Sequence, residues 1–198
     1  MTRTMPPRVC RSRTTKTLCK LLLAGTFCSL LSCSSPSNNA SSSPPVQPLP
    51  AQKEFTSRDL KTLERQIHDR INKERVRQGL PTMRWDDALG RIAIKHSRDM
   101  ARNGYFSHRS PQGKDVASRY MQSGYACGVT VNGVLRHGAE NIFRLFPTEG
   151  EDPAGATLQG WLEKNDDRKN ILSPHWGRQG IGVSTGPDGA LYITLNLC

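Results

Sequence analysis

The chain has 198 residues and a formal net charge of +11 at pH 7. Six of the positive charges lie within the first 20 residues; +11 less these six leaves +5, with acids and bases interspersed. Because no basic cluster carries interleaved aromatic residues, these totals argue against a nucleic-acid partner, and the remaining length suits one domain with its own core.

The N-terminal segment, residues 1–32, is predicted to be a signal peptide. Its first 20 residues are basic without any acid, and residues 21–32 form an apolar run too short to span a bilayer permanently. The run ends in Leu30-Leu31-Ser32-Cys33, which resembles the lipobox of bacterial lipoproteins, where the cysteine is acylated and becomes the first mature residue. The alternative is an ordinary cleavage site with a cysteine nearby by chance.

Residues 33–54 are predicted to be a linker, since they are rich in Ser and Pro and have too little apolar content to bury a core. With an acylated Cys33, this linker would tether the folded domain, residues 55–198, to a membrane. We therefore expect an exported protein, lipid-anchored in the cell envelope. The absence of an acid after Cys33 resembles the outer-membrane sorting pattern of Gram-negative lipoproteins, if the organism is Gram-negative; the periplasm is the alternative.

Two cysteines remain once the signal segment and the lipid-bearing Cys33 are set aside, namely Cys127 and Cys198. An even pair in an oxidising compartment favours a disulfide. It would close a loop of about 70 residues, which in the chain-entropy model stabilises the fold by about 4 kcal/mol. Two free buried thiols are the alternative.

Two long amphipathic helices are predicted at the start of the domain. The first runs from about Ser57 to Gln78 behind a capping-box-like start, with His68 on its solvated side. The second begins after Asp86 and ends at Asn103-Gly104. His96 falls on the apolar stripe of the second helix, where a hydrogen-bonded core histidine is more common than a ligand.

The chain after the second helix leaves His108 at the edge of the predicted core and then forms a short helix from about Lys114 to Ser123, with Met121 turned inward. A strand is predicted to start with Ala139-Glu140-Asn141-Ile142-Phe143. Because Glu140 interrupts an apolar passage, its burial requires a partner, for which a nearby histidine or a metal ion would serve.

The last third of the chain is predicted to hold a helix from Pro153 to about Lys164 and a helical turn over 167–172. Strands over 180–184 and 190–195 follow, joined by a Gly-Pro-Asp-Gly turn. Helices in front, helices between strands and a closing hairpin favour an α+β fold with an antiparallel sheet.

A series of short motifs resembles the CAP superfamily, also called SCP or PR-1-like domains, in its bacterial form. The motifs are Tyr105-Phe106-Ser107-His108, Gly138-Ala139-Glu140-Asn141-Ile142, Gly160-Trp161, Arg168-Lys169-Asn170-Ile171-Leu172, Gly180-Ile181-Gly182-Val183 and Tyr192-Ile193-Thr194-Leu195-Asn196. The resemblance covers roughly residues 60–198. It implies an α-β-α sandwich with a central antiparallel sheet between helical layers, and the Cys127 and Cys198 pair is also similar to that of some bacterial members.

The resemblance also implies a cleft where two histidines and two acids converge and can bind a divalent metal such as zinc. His108 and Glu140 match one histidine and one acid. The place of the second histidine is taken by Asp167, and Glu163, the nearest candidate for the second acid, is one position off the common spacing. One nitrogen and several oxygens suit a harder ion than zinc, or no ion. His175 is an alternative replacement ligand.

Three classes of function follow from these features. The first is a non-catalytic binding module that takes a ligand, lipid or protein in the His108/Glu140 cleft. The second is a metal-assisted hydrolase or protease-like activity, with His108 as base and Ser107 or Ser110 nearby, although no Gly-x-Ser-x-Gly elbow is present. The third is a structural envelope protein with a vestigial cleft. Asp167 in place of histidine favours the first and third classes.

Overall fold

The computed structural model describes residues 54–131 and 133–198. The predicted signal segment, the predicted lipidation site Cys33 and the predicted linker up to residue 53 lie outside the described residues. Within the described ranges, no helix combines the length and apolar character needed to cross a membrane.

Five helices and six strands occupy the described part of the chain. In order, they are α1 (Ser57–Arg77), β1 (Arg84–Trp85), α2 (Asp87–Asn103), α3 (Val116–Gln122), β2 (Val129–Val131), β3 (Val134–Arg136), β4 (Ala139–Leu145), α4 (Pro153–Glu163), α5 (Asn165–Ile171), β5 (Arg178–Thr185) and β6 (Leu191–Leu197).

The central sheet has the strand order β1-β5-β6-β4, while β2 and β3 form a separate antiparallel pair. Strands β5, β6 and β4 are antiparallel neighbours, with Glu140 of β4 opposite Asn196 of β6. The predicted α+β class is confirmed. The sheet departs from the predicted all-antiparallel form at β1, whose two residues run parallel to the start of β5 where the α1–α2 connection passes it.

Helices cover both faces of this sheet. On one face, Ile181, Val183 and alternate residues of β6 pack with α1 and α4 in the largest buried cluster, which includes Ile67, Ile71 and Trp161. On the other face lies α2, whose Ser97 hydroxyl oxygen forms a hydrogen bond with Thr194 Oγ1 of β6 at 2.8 Å. This arrangement is the predicted α-β-α sandwich.

The contact between α2 and β5 is backbone against backbone. A Cβ at Gly180 would overlap the α2 backbone at Gly90, and one at Gly182 would overlap Ile94. Ser97 Oγ also donates to the Gly182 carbonyl oxygen at 2.8 Å. The two glycines therefore let α2 lie directly on the sheet, which sets the position of the chain that leaves its C-terminal end.

The ends of the first two helices follow the predicted capping signals. Thr56 and Asp59 form a capping box on α1. Asp86 Oδ1 accepts the backbone N–H groups of Ala88 and Leu89 at the start of α2. Gly104 ends α2 in the left-handed conformation, with φ of 64°, a geometry that glycine adopts without strain.

Cys127 and Cys198 form a disulfide with a Cα–Cα distance of 5.7 Å, as predicted. Two other details differ from prediction. His68 is half-buried, because the Trp85 ring packs edge-on against it with centroids 5.6 Å apart. Met121 is 78% exposed, because a helix as short as α3 turns only Arg119 and Tyr120 fully inward.

Candidate functional site

Glu140 is the centre of a buried polar cluster beneath the loop that follows α2. It is the second residue of β4, and its side chain is only 2% exposed. Three side chains from other elements approach its carboxylate: His96 of α2, His108 of the following loop and Arg119 of α3. The prediction that a buried Glu140 requires a partner is therefore fulfilled by more than one group.

Arg119 makes the shortest of these contacts. Its Nη2 donates to Glu140 Oε2 at 2.6 Å, and both side chains are almost completely buried. The same guanidinium donates to the carbonyl oxygens of His108 at 3.1 Å and Lys114 at 3.0 Å. Charge-assisted bonds of this length are the stronger class of hydrogen bond. Arg119 thus neutralises the carboxylate and ties the intervening loop to it.

His108 contacts the other carboxylate oxygen. Its Nδ1 lies 3.0 Å from Glu140 Oε1, and because a carboxylate only accepts, Nδ1 carries the proton. The Nε2 lone pair of neutral His108 is then the free acceptor of the ring. The His108 side chain is 57% exposed, so this acceptor belongs to the accessible part of the cluster.

His96 lies behind the loop and is 2% exposed. Its Nε2 donates to the Ser107 carbonyl oxygen at 3.1 Å, and the same nitrogen is 3.7 Å from Glu140 Oε1. Burial lowers the pKa of His96, more strongly than the Glu140 charge raises it, so the ring is neutral at pH 7. The predicted hydrogen-bonded core histidine is confirmed, although its place against Glu140 was not foreseen.

An open cleft of about 730 Å³ lies next to His108. Its lining is Phe106, Ser107, His108, Arg109, Ile142, Lys164, Asn165, Asp166 and Asp167. Asp167 is buried, and burial raises the pKa of its carboxyl group. The structure thus brings the predicted His108 and Asp167 to one cleft. Glu140, which was predicted to line the same cleft, does not line it, because it is buried behind His108 and contacts the cleft only through that ring.

The remaining predicted site residues lie elsewhere. Glu163 is exposed at the end of α4, where it accepts a hydrogen bond from Gln159 at 2.9 Å, and it does not line the cleft. His175 is also exposed and outside the cleft lining, with its backbone N–H donating to Ser173 Oγ. Both residues therefore stand apart from the Glu140 cluster.

The cluster does not fit a divalent metal ion. Arg119 occupies Oε2 of Glu140 and His108 occupies Oε1, while His96 uses its Nε2–H as a donor and has no lone pair on that nitrogen. A guanidinium on the carboxylate also repels a second cation. Among residues 54–131 and 133–198, no group of three or more His, Cys, Asp or Glu is arranged to hold a metal.

Neither nearby serine is placed as a nucleophile for His108. Ser107 Oγ accepts the backbone N–H of Arg109 at 3.1 Å, and Ser110 Oγ accepts that of Lys114 at 3.2 Å. In the described ranges, Glu140 is the one hydrogen-bond partner of the His108 ring. The geometry is that of an oriented histidine without a nucleophile, because a nucleophile and its base are normally within hydrogen-bond reach.

Sequence reasoning missed Arg119 as the main partner of Glu140. The only available signal was a positive charge beside the apolar Tyr120 in a predicted helix. A seven-residue helix makes two turns, which is too short for periodicity to decide which side of it faces inward.

Fold and site together define an α-β-α sandwich domain with a glutamate–histidine cleft at one end of its sheet. The sequence profile of CAP, the cysteine-rich secretory protein family, matches residues 68–197. The chain belongs to this family, and the predicted resemblance is confirmed.

Two curated relatives come from Bacillus subtilis (strain 168). The uncharacterized membrane protein YlbC is 32% identical over 122 residues, which cover 62% of this chain and 32% of YlbC. The uncharacterized protein YkwD is 27% identical over 119 residues, which cover 60% of this chain and 41% of YkwD. The chain therefore spans less than half the length of either relative.

Two solved structures share the fold. An extracellular protein containing an SCP domain from Bacillus anthracis is 30% identical, with a TM-score of 0.57, and the match covers 73% of this chain and 44% of that one. An outer surface protein from Borrelia burgdorferi is 14% identical, also with a TM-score of 0.57, covering 70% and 93%. The relatives thus include extracellular and membrane-associated proteins.

Proposed function

We propose that this domain is a non-catalytic binding module of the cell envelope that takes a ligand in the cleft beside His108. The observation that carries the proposal is the Arg119–Glu140 ion pair. It satisfies the buried carboxylate internally and leaves the His108 Nε2 lone pair as an oriented acceptor at an open cleft. Such a cleft has hydrogen-bonding groups fixed in place without a metal or a nucleophile.

The cleft walls support a polar or charged ligand. Arg109 and Lys164 add positive charge, Asp166 and Asp167 add carboxyl groups, and Ile142 supplies an apolar floor. A mostly open site with convergent polar groups is typical of ligand binding. A metal-assisted hydrolase requires groups that the cluster does not offer, and a structural protein with a vestigial cleft requires no oriented histidine.

Attachment to a membrane through an acylated Cys33 is the second part of the proposal. It is supported by the basic and apolar N-terminal segment, the lipobox-like Leu-Leu-Ser-Cys sequence and the Ser/Pro-rich linker. We expect mass spectrometry of the membrane fraction to find lipid on Cys33, and Cys33→Ala to move the protein into the soluble fraction. Cys28→Ala is the matched control, and unchanged membrane association of Cys33→Ala would contradict the anchor.

The binding proposal is tested by following the His108 ring resonances of the full-length protein by NMR during titration with three probes. The probes are soluble wall glycan fragments, phosphatidylglycerol vesicles and extracted envelope proteins. We expect one probe to shift His108 and neighbouring cleft resonances, with the effect lost in His108→Asn. If none shifts them, the binding module is wrong. Hydrolysis of casein or p-nitrophenyl acetate that depends on His108 would instead establish the hydrolase.

A further inference from the structure

The face of β4 that carries Glu140 continues beyond the cleft. Because side chains alternate along a strand, Glu140, Ile142 and Arg144 lie on the same face. Arg144 is exposed, and its Cζ lies 5.7 Å from the centroid of the Phe106 ring and 5.7 Å from that of Phe146. We refer to Phe106, Arg144 and Phe146 as the β4 platform.

Two aromatic rings of this platform are open to solvent. Phe106 is 38% exposed and Phe146 is 56% exposed, so both are among the few large hydrophobic side chains that the described chain leaves on its surface. Phe106 also lines the cleft beside His108. The platform and the cleft are therefore one continuous surface.

The guanidinium of Arg144 is positioned by aromatic rings, and no carboxylate of the described residues neutralises its charge. The Tyr192 ring lies 5.9 Å from its Cζ, as a third aromatic contact. Within residues 54–131 and 133–198, it makes no ion pair or hydrogen bond, whereas the buried Arg119 makes both. Aromatic faces hold a guanidinium through cation–π contacts. All five N–H donors of Arg144 thus remain available for an outside acceptor.

We propose that the β4 platform binds a glycan that carries carboxylate groups, with one end of the glycan in the His108 cleft. Exposed aromatic rings offer flat apolar faces that suit the C–H faces of sugar rings. A guanidinium fork matches a carboxylate in two parallel hydrogen bonds. The proposal rests on the proposed function, since it names the class of ligand for the same cleft.

The length of the surface favours an extended ligand. Both ring centroids lie 5.7 Å from Arg144 Cζ, so the two rings flank the guanidinium, and Phe106 continues the surface into the His108 cleft. Arg109 and Lys164 add positive charge at the cleft end, beside the carboxyl groups of Asp166 and Asp167, so an acidic chain would meet a cation at each end of its path. The apolar part of the platform consists of two aromatic rings with the charged Arg144 between them. This apolar area is smaller than a stable protein interface needs, which favours a glycan over a protein as the ligand.

The experiment measures binding of three probes to the purified full-length protein by calorimetry. The probes are a tetrasaccharide of alternating N-acetylglucosamine and N-acetylmuramic acid without peptides, the neutral N-acetylglucosamine tetramer, and phosphatidylglycerol vesicles. We expect the carboxylated tetrasaccharide to bind about tenfold more tightly than the neutral one, because one charged hydrogen-bonded pair has an energy of that order.

Variants assign the binding to the platform. Arg144→Gln should remove the preference for the carboxylated sugar, and Phe146→Ala should weaken both tetrasaccharides about tenfold. Arg58→Gln and Val76→Ala, which change exposed residues of α1, are the matched controls and should bind like the wild type.

The outcomes separate this inference from the proposed function. If Arg144→Gln and Phe146→Ala bind like the wild type while His108→Asn loses binding, the proposed function of the cleft is supported and the proposed role of the β4 platform is wrong. If the platform variants lose binding while His108→Asn does not, the platform stands and the proposed cleft is wrong. Binding of vesicles alone in an Arg144-dependent way would overturn the glycan in favour of a lipid surface, and absence of tetrasaccharide binding would also overturn it.

Discussion

The guanidinium of Arg119 lies 2.6 Å from Glu140 Oε2, and this pair, 21 residues apart in sequence, is closed off from solvent on both sides. Arg119 provides the positive charge that a metal ion would otherwise supply to the carboxylate. The chemistry of the cleft depends on this internal pair.

Arg119→Met is expected to lower the free energy of unfolding by about 3–5 kcal/mol, because it leaves the buried carboxylate of Glu140 without its cation. Urea denaturation measures the loss. Arg109→Met, which changes an exposed residue of the loop between α2 and α3, should stay within about 0.5 kcal/mol of the wild type. A loss below about 1 kcal/mol for Arg119→Met would show that Glu140 has another sufficient partner.

Zinc, nickel and calcium at micromolar concentration are expected to leave the thermal midpoint of the wild type unchanged, because both oxygens of Glu140 are already engaged. Elemental analysis of the dialysed protein checks this directly. Stoichiometric metal that disappears in His108→Ala would contradict the prediction. The same result would restore the metal site implied by the family resemblance.

His96 is expected to make the protein less stable in mild acid. Burial lowers the pKa of His96 in the folded state. The negative charges of Glu140 and Asp99 raise this pKa and the positive charge of Arg119 lowers it, but burial has the largest effect. Below pH 6.5 the unfolded chain therefore binds a proton that the folded chain does not, and stability falls as the pH drops. The contribution is at most about 1.4 kcal/mol for each pH unit.

Urea denaturation of wild type and His96→Gln between pH 7 and pH 5 measures this effect. The stability of His96→Gln should depend less steeply on pH over this interval, whatever its absolute stability. His175→Gln, at an exposed histidine, is the control and should keep the slope of the wild type. Equal slopes for all three proteins would show that His96 does not titrate differently on folding.

Reduction of the Cys127–Cys198 disulfide is expected to lower the thermal midpoint by about 10 °C. The bridge joins residues 71 positions apart, and a loop of that size corresponds to about 4 kcal/mol in the chain-entropy model. Differential scanning calorimetry with and without reductant gives the shift. Cys198→Ser should melt at the same temperature in both conditions, and an unchanged wild-type midpoint would contradict the prediction.

Gly182→Ala is expected to lower the free energy of unfolding by about 3 kcal/mol or more, because its Cβ would overlap the backbone of α2 at Ile94. Gly177→Ala is the matched control, since a Cβ there meets nothing within 4 Å. Chemical denaturation of the two variants compares them. Similar stabilities would mean that α2 moves away from β5 at little cost.

The helix boundaries could be predicted because their signals are local. Asp86 and Gly104 act within a few residues of the helix that they begin and end, so the sequence near them is sufficient. The family motifs likewise predicted the sandwich. Of the four residues predicted for the cleft, His108 and Asp167 line it, whereas Glu140 is buried and Glu163 lies apart.

The contacts that give the site its character were not predictable in the same way. Arg119 meets Glu140, and Phe106 meets Arg144, only after separate elements have packed on one sheet. Strand β1 was also missed as a parallel partner, because two residues show no periodicity. Such relationships depend on tertiary packing and leave no pattern along the chain.

The close seating of α2 on Gly180 and Gly182 has a mechanical consequence. His108 follows α2, and Glu140 belongs to β4 of the sheet on which α2 packs. The hydrogen-bond donor and its acceptor are therefore held by two elements that pack closely on each other. Because this packing fixes the distance between the two side chains, we expect the binding site to have the same conformation before and after a ligand binds. We therefore expect recognition to be governed by the rate of dissociation rather than by a conformational change that precedes binding.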